Sequence, residues 1–182
     1  MPKIGSIFAF AAACMALSAG FHAPAVQAQS LGGAATNINR PSVTGAVRCF
    51  QTTRAENAQG AAHTSQIRAR QGLAGVAPNP RLAEAAAMQA CDMARQNQMT
   101  HAGLKHARPS QRLRAVGYRQ SIVAENIGMG FKSAEQVQAA WIASSSHLSN
   151  IMLPQVQEFG IGKAIGADGR TVFWAAVYAA RR

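Results

Sequence analysis

Three observations predict an α+β chain folded as a three-layer α/β/α sandwich, a small central antiparallel sheet between helices. First, the stretch from Asn79 to Asn97 carries the clearest helical period of the sequence. Second, Val156 to Ile165 and Arg170 to Ala179 read as strands on either side of Asp168-Gly169, two residues that tolerate positive φ and signal a hairpin. Third, both faces of the second strand are apolar: Val172, Trp174, Ala176 and Tyr178 on one, Phe173, Ala175 and Val177 on the other. A strand apolar on both faces needs helices above and below it.

Taken in order, residues 1–28 read as a signal peptide. Lys3 gives a basic start, Ile4 to Phe21 is apolar or small, and Val26-Gln27-Ala28 places small residues where a signal peptidase cuts, after Ala28. Ala23-Pro24-Ala25 is a weaker second site. Ala11-Ala12-Ala13-Cys14 lacks the leading Leu of a lipoprotein box. The leader is too short for an ordinary membrane span of ~20 residues, so the expectation is an exported chain, periplasmic or secreted, with no stable membrane insertion after cleavage.

Residues 29–60 are rich in Gly, Ala, Thr, Asn and Gln and read as a flexible arm. The folded domain is expected over 61–182. Thr64 to Gln71 suggests a short helix stopped by Gly72. The main helix follows, with Asn79 as N-cap and Pro80 at the first helical position. Leu82, Ala86, Ala90 and Met93 form its core face, widened by Ala83, Ala87 and Ala94, and so many alanines favour close backbone packing. Met88, Met93 and Met99 need no role beyond filling gaps. Pro109 to Val116 suggests another short helix closed by Gly117. Ser133 opens one more, with Gln136 placed to complete a capping box and Val137, Ala140 and Trp141 as its buried stripe. Ser144-Ser145-Ser146 breaks that helix and starts a turn through His147 to Met152.

The chain of 182 residues carries 18 Lys and Arg against 7 Asp and Glu, a formal charge of +11. In an exported protein this balance favours an anionic envelope component over nucleic acid, and no basic block with interleaved aromatics appears. Export also permits disulfides. Loss of Cys14 with the leader leaves Cys49 and Cys91, which either form one bridge or remain two buried thiols. Neither CxxC redox spacing nor a zinc motif occurs.

Thr100-His101, Glu125-Asn126-Ile127, Trp141 to Met152 (WIASSSHLSNIM) and Glu158 to Gly162 (EFGIG) together resemble the CAP superfamily, the cysteine-rich secretory, antigen-5 and pathogenesis-related proteins with an SCP domain, in their short bacterial form. The resemblance runs from about Ser65 to Ala179. It implies the same sandwich, with an open cavity containing His101, Glu125 and His147. Two imidazoles and a carboxylate suit Zn²⁺ or another divalent cation, with water in an open position and Glu125 either as third ligand or as the acceptor that orients a ligating imidazole. His106, five residues beyond His101, would point about 140° away on a helix and does not replace it. Many relatives carry a second cavity glutamate three residues after the tryptophan, where this chain has Ser144, and a glycine before the second histidine, where it has Ser146. Glu158 is the acid that would compensate, unless it is a strand-start residue facing solvent. Asn150-Ile151-Met152 reads as packing and turn structure.

Three functions follow from the resemblance. One is a binding module for a divalent metal or small envelope ligand. Another is a metal-assisted hydrolase, acting on a peptide or ester, with Glu125 as general base. The last is a lipid-binding module. A purely structural alternative has each histidine hydrogen bonding serine, backbone or Glu125 to order a cavity wall. The sequence contains neither a Gly-x-Ser-x-Gly elbow nor a His-Glu-x-x-His motif.

Overall fold

A computed structural model describes residues 45–182, which belong to one compact unit. The leader, its cleavage sites, Cys14 and the first part of the arm lie outside the described residues. None of the described helices is long and apolar enough to cross a membrane.

The order of elements is β1 (Arg48–Cys49), α1 (Arg54–Ala69), β2 (Ala77–Pro78), α2 (Pro80–Gln96), α3 (Pro109–Ala115), β3 (Gln120–Met129), α4 (Ala134–Ala143), α5 (Ser145–Ile151), β4 (Glu158–Ile165) and β5 (Val172–Arg181). The sheet runs β1-β4-β5-β3 with antiparallel pairing throughout, and the two-residue β2 adds a parallel pair to β4. β5 is central and β3 is an edge.

Both faces of β5 are covered, as its sequence predicts. Phe173, Ala175, Val177 and Ala179 pack with Leu82, Ala86, Ala90 and Met93 of α2 and with Leu113 and Tyr118. On the other side Trp174, Ala176 and Tyr178 meet Ala61 of α1, Val137 and Trp141 of α4 and Ile151 of α5. The hairpin turn closes with Gly169 at φ +68°, while the Asp168 carboxylate accepts from the Arg170 and Thr171 amides.

The alanine-rich face of α2 lies directly on β4. A Cβ added to Gly160 would overlap the Ala83 amide nitrogen, and one on Gly162 would overlap that of Ala87. Two glycines on alternate strand positions therefore match two alanines one helical turn apart. Asn79 caps this helix by accepting from the Arg81 and Leu82 amides, and Asn97 ends it in the left-handed conformation at φ +47°.

Three elements differ from the sequence reading. The arm expected over 29–60 gives way to structure at β1, and the helix expected from Thr64 starts ten residues earlier, at Arg54. Thr53 and Glu56 form a full capping box there. Its buried side consists of Asn57, Gly60, Ala61, Thr64 and Arg68, which is helical in period but almost free of large apolar residues. Glu125-Asn126-Ile127, which carried no strand signal, lies inside β3. At Ser133 only half of the capping box forms: Ser133 Oγ accepts from the Gln136 amide, but the Gln136 side chain accepts from Lys132 instead. Cys49 and Cys91 are bonded, with Cα atoms 5.2 Å apart, which ties β1 to α2.

Candidate functional site

The site forms where loops from both helical layers reach the edge strand β3. Alternation along the strand sends Glu125, with Val123 and Ile127, toward the layer of α2 and α3, and Asn126 toward α4 and α5. After α2 ends at Asn97, residues 98–106 return to the sheet on bonds from α2 side chains. Gln89 donates to the Thr100 carbonyl, Gln96 to Ala102 at 3.2 Å, and Asp92 accepts from the Leu104 amide at 2.9 Å.

This loop delivers His101 to Glu125. His101 Nδ1 lies 2.8 Å from Glu125 Oε1, and Arg112 Nη2 donates to Glu125 Oε2 at 2.6 Å. The Glu125 side chain is 1 % exposed and that of Arg112 0 %, whereas that of His101 is 55 % exposed. Arg112 also donates from Nη1 to the carbonyls of His106, at 2.8 Å, and His101, at 3.4 Å. One buried guanidinium thus holds both the carboxylate and the backbone of the loop that carries the histidine. With Glu125 as acceptor, the neutral His101 ring keeps its proton on Nδ1 and leaves the Nε2 lone pair facing outward.

His147 approaches from the other layer, half-buried on α5. Asn126 Nδ2 donates to the His147 carbonyl at 3.1 Å, and Asn150 Nδ2 donates to Asn126 Oδ1 at 2.8 Å and to the Glu125 carbonyl at 3.2 Å. These amides fasten α5 to β3. Burial first, and then the nearby charge of His101, hold the His147 pKa below the ordinary imidazole value. Its imidazole is therefore neutral at physiological pH, and the two histidines are electrostatic neighbours.

The other predicted residues have partners of their own. Each Glu125 oxygen accepts one hydrogen bond within the protein, which places this buried side chain to orient His101. Among the described residues no group of three His, Cys, Asp or Glu side chains is arranged to hold a metal ion. Ser144 and Ser146 pair their hydroxyls at 3.2 Å on the solvent side of the α4–α5 break. Glu158 neither faces solvent freely nor compensates for Ser144. It accepts from Asn79 Nδ2 at 2.5 Å and from the Tyr118 hydroxyl, on the far side of β5 from β3. His106 contributes only its carbonyl, to Arg112. The site is an open rim. Two cavities of about 260 and 700 Å³ lie elsewhere, beside the start of α1, and neither contains His101, Glu125 or His147.

Arg112 is the functional residue that sequence reasoning misses. Its only signal is a charged residue beside Leu113 in a helix that has to pack on the core.

The sequence profile of the CAP, cysteine-rich secretory protein family matches residues 61–178. The chain belongs to that family. Among curated relatives, the protein YkwD of Bacillus subtilis (strain 168), itself uncharacterized, is 29 % identical over 99 residues, which span 54 % of this chain and 38 % of the relative. The chain thus matches well under half the length of that protein. Among solved structures, an outer surface protein of Borrelia burgdorferi superposes with a TM-score of 0.62 at 18 % identity, covering 72 % of this chain and 96 % of the other. An extracellular protein containing an SCP domain from Bacillus anthracis gives 0.61 at 21 % identity, covering 70 % and 41 %. These likenesses establish the α+β CAP sandwich.

Proposed function

We propose that this CAP-domain protein is exported and works as a binding module, taking a divalent cation such as Zn²⁺ at the rim where His101 and His147 are electrostatic neighbours. The observation that carries the reading is the Arg112–Glu125–His101 chain. A carboxylate that fixes the tautomer and direction of an imidazole is the usual outer support of a metal-ligating histidine. The neutral His147 imidazole is the second donor. Two imidazoles, with solvent completing the shell, fit a weak and exchangeable cation. They do not fit the closed four-ligand arrangement of a structural zinc site.

Export is supported by the apolar leader, by the Cys49–Cys91 disulfide, which suits an oxidising compartment, and by the extracellular or outer-surface description of two structural neighbours. The hydrolase reading is less well supported, because the base it required, Glu125, is buried and doubly bonded.

Calorimetric titration of Zn²⁺ into the chain from Gln29 onward tests the proposal. His101→Ala and His147→Ala should each weaken binding at least tenfold, Glu125→Gln should weaken it by about 10-fold or more through loss of the orienting carboxylate, and His106→Ala should change little. Equal uptake by the wild type and the His101→Ala/His147→Ala double variant would exclude the rim as the site.

A further inference from the structure

The larger cavity, of about 700 Å³, is lined by Thr52, Asn57 and Pro78, all three bonded to the outer edge of β4. That edge is paired only near its ends: β2 meets Glu158 and Phe159, and β1 meets Ala164 and Ile165. Between them Thr52 Oγ1 donates to the Ile161 carbonyl at 2.6 Å, and Asn57 Oδ1 accepts from the Ile161 amide at 3.2 Å. With both Ile161 groups taken, a ligand in the cavity cannot add to β4 as a further strand. Recognition there falls to the side chains of the wall.

Those side chains include two opposite charges that do not meet. Arg54, the first residue of α1, and Glu84, in the second turn of α2, both line the cavity and both are exposed. Among the described residues neither forms an ion pair, with the other or with a third group. Glu56, the other acid at the start of α1, is 2.8 Å from Lys163 and lines the smaller cavity instead. The rest of the wall is mainly small and apolar, formed by Ala58, Ala83, Ala87, Pro78 and Pro80, with the exposed Gln51 beside them.

We infer that this cavity binds a short peptide with free ends and small side chains, its carboxylate on Arg54 and its ammonium on Glu84. A guanidinium fork matches a carboxylate in geometry as well as charge, and the start of α1 adds partial positive charge at the same end. A ligand carrying one sign of charge alone would desolvate the other wall residue without pairing it, so the two together select a zwitterion. Alanine and proline walls leave room for methyl-sized side chains and offer no aromatic ring to hold a base. The Gln51 amide both donates and accepts, as a peptide unit requires. The volume falls in the range of small-molecule sites and exceeds what one amino acid fills.

The test is titration of the isotope-labelled chain from Gln29 onward with trialanine, followed through its amide NMR signals. Shifts should appear at residues 51–58 and 83–87 and be absent at His101 and His147. Trialanine with an acetylated N-terminus or an amidated C-terminus should bind about tenfold more weakly in each case, the loss of one charge-assisted contact. Arg54→Gln should cost the same factor with trialanine and nothing further with the C-terminal amide. Glu84→Gln should behave likewise toward the acetylated peptide. Both side chains are exposed and without ion pairs, so the variants should fold, and circular dichroism checks that they do. Equal binding of trialanine and its doubly blocked form would overturn the proposal. So would shifts centred on the two histidines, or none around the cavity up to the solubility of the peptide.

Discussion

Replacing Arg112 with methionine is the sharpest test of how the site is built, because a single side chain holds both Glu125 and the His101 loop. Arg112→Met keeps the length and apolar stem but removes the guanidinium. Glu125, 1 % exposed, would then keep a buried carboxylate with only His101 as partner, and the carbonyls of His106 and His101 would lose their donor. Breaking a buried ion pair from one side costs about 3–5 kcal/mol. In a domain of this size that lowers the melting temperature by roughly 10 °C. The diagnostic variant is Arg112→Met/Glu125→Gln, in which no uncompensated charge remains, and it should recover most of the loss. Urea unfolding of the wild type and the two variants gives the three free energies. Proton–nitrogen NMR of the His101 ring reads the tautomer, whose Nδ1 preference should persist in Arg112→Met, where the carboxylate remains, and weaken in the double variant. A deficit under about 1 kcal/mol in Arg112→Met, or a double variant no more stable than the single, would show that the pair is not the support of the site.

Further outcomes follow from the fold and the site. Gly160→Ala forces a Cβ against the backbone of α2 and should destabilise by at least about 1–3 kcal/mol, seen as a lower urea midpoint, because helix backbone cannot yield as a side chain can. Cys49→Ser/Cys91→Ser opens a loop of sequence separation 42 and should cost about 3–4 kcal/mol, measured the same way under oxidising conditions. Glu56, held down to about 2 by Lys163 and the Thr53 amide, has a folded pKa below its unfolded value, so its contribution is complete above the ordinary carboxylate range and fades as pH falls toward about 2. The pair is partly exposed, so the effect is below about 1 kcal/mol, and Glu56→Gln should flatten that part of the acid unfolding curve. Ser144→Glu, which restores the acid common in relatives, should tighten Zn²⁺ binding by calorimetry if the cation occupies the rim.

The hairpin and the main helix were legible because each carries a local signal: Asp168-Gly169 between apolar strands, and Asn79-Pro80 ahead of a regular apolar face. α1 was half legible. Its inward side, Asn57 to Arg68, is small and polar, and a hydrophobic period cannot find a helix that buries no large apolar residue. The Thr53–Glu56 capping box was a readable signal for its start. β3 was hidden for a different reason. Its centre, Glu125-Asn126, looks like a loop until Arg112, His101 and Asn150 arrive from distant positions to satisfy it. The resemblance located both histidines and Glu125, but not the guanidinium that pairs with Glu125, since sequence carries no record of which distant side chain a buried carboxylate will meet.

Two buried arginines explain how an open rim can be well oriented. Arg112 acts from the α2–α3 side, through Glu125 and two loop carbonyls, and so fixes His101. Arg68 acts from the other layer without a carboxylate. Its Nη1 donates to the carbonyls of Ile151 at 2.7 Å and Leu153 at 2.8 Å, its Nε to Ala74 at 2.7 Å, and Nη2 to Val156 at 3.3 Å. Burial lowers its pKa, yet four carbonyl dipoles surround the charge. The segment these bonds hold begins at the last residue of α5, the helix that carries His147. The two histidines are thus aligned from opposite faces of the sheet, each by a guanidinium that anchors the backbone around it. Neither alignment draws on apolar burial at the rim itself, and for that reason the imidazoles can stay accessible to a ligand while the sandwich beneath them remains closely packed.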